Sequence, residues 1–529
     1  MDPANIEDAF TINEKSTETG NNIEQPKLSG LKLNALIFGL VLSIFISSLD
    51  NTIVSTAMAS IVSEFGALDL VTWVAASYLL TSTAFQPLYG KLSDIFGRKY
   101  TVLFALSIFT IGSIVCGAAP DMITLVIFRA ISGIGGGGLY SLSVIIMSDI
   151  IPPRKRGMFL ALAGGIFAIA SIIGPLIGGA FTDHVTWRWA FYINIPICAI
   201  TILVVVFFLD LPIPQGKISD KLKRIDFLGA FTLTCFTICL VLGLTWGGAE
   251  YEWISAPVIV TLVLAVVFLI IFVYVEVKVA KEPIVPGRIL NRNTISAYIT
   301  SFFIGALLMV SIYYLPIYYQ VVKGQNATNA GLELLPLLLG AVACNFVTGA
   351  ITTKTGKYRF LSIIAGAIQV IGASLFGALF RVDLTRAEEI IYALINGIGV
   401  GLCYQNNVMV AQAASTTEDI ALSTSMVYFS NLLGGLFGLA IQGAVFNNRL
   451  ASGLTELIPT IDPKFILSSI ANIRTLSDQQ QHLVFEAYCL AFKYLYLSMI
   501  PYAALSFIST LFLKHIPLKD NVVPTVGGH

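Results

Sequence analysis

The chain has 529 residues, of which 56% are hydrophobic and only 12% are charged. Soluble proteins carry about twice that charged fraction, so the composition excludes a water-soluble multidomain enzyme. The 31 basic and 31 acidic residues balance, which gives no reason to expect nucleic acid as a partner.

The start of the chain is polar, and residues 1–32 are predicted to form a disordered cytoplasmic tail. A cleavable signal peptide would place its apolar stretch at the very beginning. We therefore expect the first apolar stretch to act as its own membrane-insertion signal.

Apolar stretches of bilayer-crossing length, about 20 residues, then follow one another along the chain. Six lie in 33–209, two in 210–294 and six in 295–514, with an extracytosolic loop at 447–493 and a cytoplasmic tail at 515–529. The predicted spans are 33–58, 71–90, 101–119, 122–148, 157–181, 189–209, 226–247, 255–276, 295–320, 329–353, 358–378, 389–413, 421–446 and 494–514. These fourteen spans predict an all-α polytopic membrane protein with the lipid bilayer as its surroundings.

The distribution of positive charge predicts the orientation. With both termini in the cytoplasm, 22 of the 31 Lys and Arg residues fall in inner segments. Because cytoplasmic loops carry an excess of Lys and Arg, we expect both termini on the cytoplasmic side.

Glycine-containing motifs recur at offsets of 259 to 264 residues. The matched positions are Gly90 with Gly349, Gly97 with Gly356, Gly135 with Gly399, and Gly174 with Gly434. Transporters are often built from duplicated halves. The offsets predict two six-helix halves, 33–209 and 295–514, with the two spans of 210–294 inserted between them.

Five short motifs carry a family resemblance. GKLSDIFGRK at 90–99 resembles the signature loop of the major facilitator superfamily between its second and third helices. LDNTIV at 49–54 and RAISGIGGGG at 129–138 resemble motifs of its drug:proton antiporters, and GPLIGG at 174–179 resembles its antiporter motif. WRWAFYINIP at 187–196 is similar to the entry into span 6 of the fourteen-span branch.

The resemblance implies a secondary transporter, not an enzyme. It implies proton-coupled antiport, by alternating access, that exports small organic compounds such as drugs or toxins from the cytosol. We expect the proton gradient to drive transport without a cofactor, since the sequence contains no GxxxxGK[ST] loop, and we expect a monomer.

Alternatives remain open at this point. The sequence is similar both to fungal drug and toxin exporters and to vacuolar basic amino-acid transporters, so the membrane is either the plasma membrane or the vacuolar membrane. A non-transporting receptor built on a transporter fold is an alternative of another class. The four histidines are dispersed along the chain, so no metal site is predicted.

Two charges are expected within the membrane. Asp50 in span 1 lies about 25 Å from the inner end of its span at 1.5 Å per residue, and Arg129 in span 4 lies at a similar depth. Charged side chains at such depth usually face a cavity and pair. Our hypothesis is that Asp50, alone or coupled to Arg129, exchanges the transported proton. The alternative is a static pair that orders the helices.

A cytoplasmic gate is predicted at two loops. Its residues are Gly90, Asp94, Gly97, Arg98, Lys99, Glu418 and Asp419. When the gate is closed, one of the last two acids is expected to pair with Arg98 or Lys99 across the halves. The alternative is that these acids complement a helix dipole.

In span 5, the resemblance implies that a glycine and proline motif seals the transport path against leak. The residues are Gly174, Pro175, Gly178 and Gly179. Because proline interrupts helical hydrogen bonding, Pro175 is predicted to bend the span.

Amide and aromatic side chains deep in the spans are candidates for the substrate cavity. They are Asn51, Thr52, Tyr313, Tyr314, Gln405, Asn406 and Asn431. About half of such residues are expected to form interhelical hydrogen bonds instead. Few buried charges favour a bulky neutral or cationic organic molecule, because a phosphate or dicarboxylate would require several arginines.

Overall fold

The computed structural model describes residues 30–65, 71–152, 155–211, 214, 220–221, 224–247, 251–325, 327–459, 473 and 476–516. Most of the two predicted tails, 1–32 and 515–529, lies outside the described residues, as does much of the linker after span 6.

Fourteen long helices, numbered in chain order, make up most of the described chain. They are α1 (Gly30–Phe65), α2 (Val71–Phe96), α3 (Arg98–Gly117), α4 (Met122–Ile150), α5 (Arg156–His184), α6 (Asn194–Phe208), α7 (Phe227–Trp246), α8 (Ala256–Tyr274), α9 (Arg292–Val321), α10 (Leu335–Thr355), α11 (Arg359–Leu379), α12 (Arg386–Ala413), α13 (Ile420–Leu457) and α14 (Asp478–Leu511). Short helices at Trp189–Tyr192 and Ala327–Leu332 precede α6 and α10.

Each predicted span coincides with one of these helices. Thirteen of them are long and apolar enough to cross a bilayer. The remaining helix, α2, has 26 residues, but its serine and threonine residues keep it below the same hydropathy criterion. It packs against α4 within the same bundle, so its neighbours shield its polar groups from lipid.

The predicted loop 447–493 is too long. Helix α13 continues to Leu457, and α14 already begins at Asp478. The predicted span ended at 446 because polar residues follow it. Leu450, Leu454 and Val484 are nevertheless buried in the core of the second half. This buried face keeps the chain helical beyond the apolar region.

The two halves show the same packing scheme. In the first half α1 lies along α5 and α6, while α4 lies between α2 and α3. In the second half α9 lies along α13 and α14, while α12 lies between α10 and α11. Equivalent helices therefore make equivalent contacts, as expected for a duplicated six-helix unit.

The matched turn glycines share a positive φ. Gly97 has φ 92° and Gly356 has φ 68°, a region that residues with a Cβ atom rarely adopt. Their ψ angles differ, because Gly97 has ψ 150° and Gly356 has ψ 1°. Only the second conformation is the left-handed helical one, which asparagine tolerates.

Asparagine substitutions should therefore separate the two turns. Gly97→Asn is expected to destabilise the protein by about 1–3 kcal/mol, whereas Gly356→Asn should change stability little. Thermal unfolding in detergent measures both, with Gly287→Ala as a control, since Gly287 has open space around it. Equal losses in both variants would contradict this account.

The halves meet at the end of the bundle that carries the Gly97 turn, which we call the closed end. A Cβ atom on Gly90 of α2 would lie 2.7 Å from the Ser425 hydroxyl of α13. One on Gly157 of α5 would lie 3.0 Å from the Gly349 carbonyl oxygen of α10. At these crossings the helices approach each other closely because Gly90 and Gly157 have no side chain.

The inserted helices α7 and α8 pack on each other, and α7 lies against both α2 and α13. The cluster formed there contains Leu233 and Phe272 of the insert and Phe429 of α13. The insert therefore lies at the seam where the two halves meet.

Candidate functional site

Asp50 and Arg129 form an ion pair inside the first half. Arg129 Nη1 lies 2.6 Å from Asp50 Oδ2, and the two side chains are 2% and 0% exposed. The predicted proximity of the two residues is therefore confirmed. A pair so fully removed from water requires further polar partners to offset its desolvation.

Asn194 supplies one of those partners. Its Nδ2 donates to Asp50 Oδ1 at 2.9 Å and to the Ser113 hydroxyl at 3.3 Å. Asn194 is the first residue of α6, and Ile193 before it keeps helical backbone angles, φ −59° and ψ −26°, so the chain stays helical from Trp189 into α6. The amide therefore connects the start of α6 to the carboxylate.

Arg129 is also held from α2. Its Nε donates to the Val74 carbonyl oxygen at 3.0 Å, and its guanidinium carbon lies 4.4 Å from the centre of the Tyr78 ring. The centre of the Phe191 ring lies 5.7 Å from the same carbon. The cation therefore keeps one hydrogen bond and a cation–π contact that do not involve Asp50.

The glycine run of α4 makes this arrangement sterically allowed. A Cβ atom on Gly136 would overlap the Tyr78 hydroxyl, and one on Gly137 would overlap the backbone of Ser82. Gly135 faces α3 in the same way, against Ala105 and Phe109. The run serves close helix packing.

The span-5 motif brings α5 against α1. A Cβ atom on Gly174 would overlap the Thr52 hydroxyl, whereas Gly179 has no atom within 4 Å of its Cβ position. The carbonyl oxygen of Gly178 accepts the Thr182 hydroxyl at 2.7 Å. Pro175 is part of helix α5, but its side chain lies outside the described residues.

The turn between α2 and α3 is a local charge cluster. Arg98 donates to Asp94 at 2.6 Å and to Asp149 at 2.7 Å, while Lys99 Nζ donates to the Val206 carbonyl oxygen at 2.7 Å. These contacts all lie within the first half. They connect the start of α3 to the ends of α2, α4 and α6.

The expected contact of Arg98 or Lys99 with the acids at 418–419 is therefore wrong for this closed end. Asp419 is instead held by Arg288, which donates to both carboxylate oxygens at 2.9 to 3.2 Å. Arg98 already has two acidic partners in its own half, and Glu418 is exposed. Arg288, from the segment before α9, makes the contact with Asp419 that was predicted for Arg98 or Lys99 of the signature loop.

The predicted cavity residues divide into two groups. Asn51 is exposed, and Tyr313 is 50% exposed, while Thr52 and Tyr314 are half-buried. Asn406 donates to the Tyr358 carbonyl oxygen at 3.0 Å, within the second half. Asn431 donates to the Ser301 carbonyl oxygen at 3.1 Å, so these two buried amides connect neighbouring helices, as expected for part of the set.

Gln405 is different because it connects the halves. Its amide Nε2 donates to the Tyr140 hydroxyl at 2.9 Å, and its Oε1 accepts the Tyr428 hydroxyl at 3.1 Å. The two tyrosine rings are 4.8 Å apart in an edge-to-face contact. Phe167 lies 6.2 Å from Tyr140 and stacks on Tyr404 at 6.4 Å.

This aromatic layer, which comprises Tyr140, Phe167, Tyr404, Gln405 and Tyr428, spans α4, α5, α12 and α13. A small cavity beside it is lined by Ser301, Ile304, Asn407, Val427 and Asn431 together with the two tyrosines of the second half. Of the five residues in the layer, only Gln405 was among the predicted site residues. Its tyrosines could have been found from their matched positions, since 140 and 404 are separated by the offset of 264 that relates α4 to α12.

Comparison with known proteins agrees with this geometry. The family model of the Major Facilitator Superfamily matches residues 40–439. The efflux pump aflT of Aspergillus parasiticus is 38% identical over 448 residues, which cover 84% of this chain and 87% of that protein. The MFS-type efflux pump MFS1 of Trichophyton rubrum is 38% identical over 457 residues, which cover 85% and 84%.

Solved structures share the fold. The human organic anion transporter MFSD10 has a TM-score of 0.58 at 13% identity, covering 92% of this chain and 100% of that one. The proton:xylose symporter XylE has a TM-score of 0.57 at 14% identity, covering 93% and 98%. The family match over most of the chain and the shared fold show that the protein belongs to the major facilitator superfamily and is a membrane transporter, not an enzyme.

Proposed function

We propose that the protein is a proton-coupled antiporter that exports small organic compounds from the cytosol by alternating access. The observation that carries the coupling is the fully buried pair of Asp50 and Arg129. Export is supported by relatives that are efflux pumps. The proton gradient is the only driving force in this proposal, and the protein acts as a monomer.

Orientation follows from the positive charges. The closed end carries the basic loops, so we place it and both termini in the cytoplasm. The protein is then closed towards the cytosol, the state from which an exporter releases its substrate and takes up a proton from outside.

Protonation of Asp50 has a defined consequence in this geometry. A neutral carboxyl group loses its attraction to Arg129, but Arg129 remains held by Val74 and Tyr78. The contacts that weaken are therefore those between α1 and its neighbours α4 and α6. Helix α1 also packs on α5, and Gly157 of α5 touches α10 at the closed end of the bundle. A shift of α1 is therefore expected to change the contact between the halves.

The aromatic layer is where we place the substrate. Stacked rings with one amide between them suit a flat, bulky organic molecule that is neutral or cationic, because aromatic faces attract both apolar rings and cations. The side chains of the layer also contact each other across the halves. Binding of substrate and these contacts between the halves would therefore compete for the same side chains.

Transport in liposomes tests the proposal. The purified protein is reconstituted with a pH dye inside, and ethidium, a neutral planar dye and arginine are added in turn. Protons are expected to move opposite to a dye, with no proton movement on adding arginine. Proton movement in the same direction as the compound would exclude antiport, and movement with arginine alone would favour the basic amino-acid alternative.

Localisation in cells determines which membrane contains the protein. A tagged copy in a deletion strain is expected at the plasma membrane, with growth sensitivity to toxic organic compounds in its absence. A vacuolar position together with altered sensitivity to basic amino acids would contradict export from the cell.

Gln405→Leu tests the aromatic layer. The variant leaves two buried tyrosine hydroxyl groups without their partner, each worth about 1–3 kcal/mol, so kcat/KM for a transported dye should fall by about tenfold or more. Asn406→Leu is the matched control, because Asn406 bonds only within its own half. It should lower thermal stability while leaving KM unchanged, and a similar rise in KM in both variants would argue against a substrate role for Gln405.

A further inference from the structure

The segment 280–291 between α8 and α9, which we call the α8–α9 linker, has a defined structure at the closed end. The Glu276 carboxylate accepts the backbone N–H groups of Ile284 at 3.1 Å and Val285 at 2.9 Å. Ile284 is 2% exposed and packs in the same cluster as Phe429 of α13. The linker is therefore packed against the bundle rather than extending freely from it.

Several contacts attach the linker to the second half. Arg288 holds both oxygens of Asp419, which is 5% exposed. Asn291 Nδ2 donates to the Ala414 carbonyl oxygen at 2.8 Å. Since Asp419 and Ala414 flank the turn between α12 and α13, these contacts attach the linker to the second half.

One residue of the linker reaches the first half. Glu282 Oε2 lies 2.9 Å from Lys91 Nζ, and Glu282 Oε1 accepts Arg224 Nε at 2.7 Å. Lys91 follows Gly90, a residue of α2 that touches α13. The ion pair therefore crosses between the halves where they meet.

The charge state of Glu282 suits this contact. Partial burial opposes its ionisation, but the hydrogen bonds from Arg224 and Lys91 outweigh burial and lower its pKa. Glu282 is therefore ionised at neutral pH. Lys91 and Glu282 are 17% and 32% exposed, so water screens the pair only in part.

We propose that Glu282 is a positioning residue of the transport cycle, and that the two inserted helices present it to Lys91 so that the pair holds the cytoplasmic end closed. The proposal rests on alternating access but not on proton coupling. Because the linker moves with the second half and Lys91 moves with the first, the pair breaks whenever the closed end opens. The insert thereby acts on the equilibrium between the two transport states.

Distance measurements on the full chain in nanodiscs, without substrate or a pH gradient, test this. Spin labels at Tyr100 of α3 and Lys354 of α10, both exposed, report the separation of the halves at the closed end. Glu282→Gln and Lys91→Gln should each increase the population with a long distance by about two- to fivefold, as expected for a partly exposed ion pair.

Two further variants keep the proposal falsifiable. Because Glu282 also accepts Arg224, the charge swap Lys91→Glu with Glu282→Lys is made together with Arg224→Gln, and it should restore the distribution of the Arg224→Gln protein, which a purely structural role of either side chain would not explain. Glu252→Gln, in the exposed turn between α7 and α8, removes the same charge elsewhere and should have no effect. An unchanged distribution in both single variants, or a failure of the charge swap to restore it, would overturn the proposal, whatever the outcome of the proton measurements.

Discussion

Asp50→Asn is expected to abolish proton-driven transport while the protein still reaches the membrane. An asparagine cannot exchange a proton, so a pH gradient should no longer move a transported dye in liposomes. The variant also leaves Arg129 buried without its counter-charge, which costs about 3–5 kcal/mol of stability. Thermal stability must therefore be measured beside transport.

A double variant separates the two effects. Asp50→Asn with Arg129→Gln removes both charges, so it should recover much of the stability and still lack proton coupling. Exchange of dye across the membrane without a gradient should remain. If the double variant regained proton-driven transport together with stability, the pair would only order the helices, and the coupling role of Asp50 would be wrong.

Gly434→Ala is expected to cause the larger stability loss of two matched glycine substitutions. A Cβ atom on Gly434 would overlap the backbone carbonyl oxygen of Phe302 in α9. That oxygen is part of the helix backbone, so it cannot move away by a change of rotamer. A Cβ atom on Gly174, 260 residues earlier, would overlap a side-chain hydroxyl, that of Thr52. We expect a cost of about 3 kcal/mol for Gly434→Ala and about 1 kcal/mol for Gly174→Ala.

Thermal unfolding in a single detergent compares the two variants. Gly331→Ala provides the control, because no atom lies within 4 Å of its Cβ position, and it should leave the unfolding midpoint unchanged. Equal losses at Gly434 and Gly174 would show that the side chain of Thr52 is as immobile as the backbone of α9.

Much of the fold could be predicted because membrane helices leave a strong signal. All fourteen helices were predicted from apolar stretches of bilayer-crossing length. The spacing of the glycine motifs predicted the repeat, and the packing of the helices shows the same repeat. The proximity of Asp50 and Arg129 followed from depth alone, because two unlike charges at one level of a bilayer are costly unless they meet.

The remaining contacts depend on features that hydropathy does not record. Asn194 lies within the predicted span 189–209, which the helical segment Trp189–Phe208 confirms, but an amide in an apolar stretch does not itself indicate which residue it binds. The partners Lys91 and Glu282 are 191 residues apart, and the second lies in a polar linker without a recognisable motif. Asp419 was correctly placed at the closed end, but its partner is an arginine outside any matched motif.

The crossing of α5 and α10 has a consequence for the speed of the transport cycle. Gly157 and Gly349 face each other backbone to backbone, and the nearest side chains of the facing helices, Thr353 and Ala161, are short. Separating the helices there requires no change of rotamer, which removes a source of activation barrier. We therefore expect the ionic and hydrogen-bonded contacts on either side of the crossing, rather than repacking of side chains at it, to limit the rate of turnover.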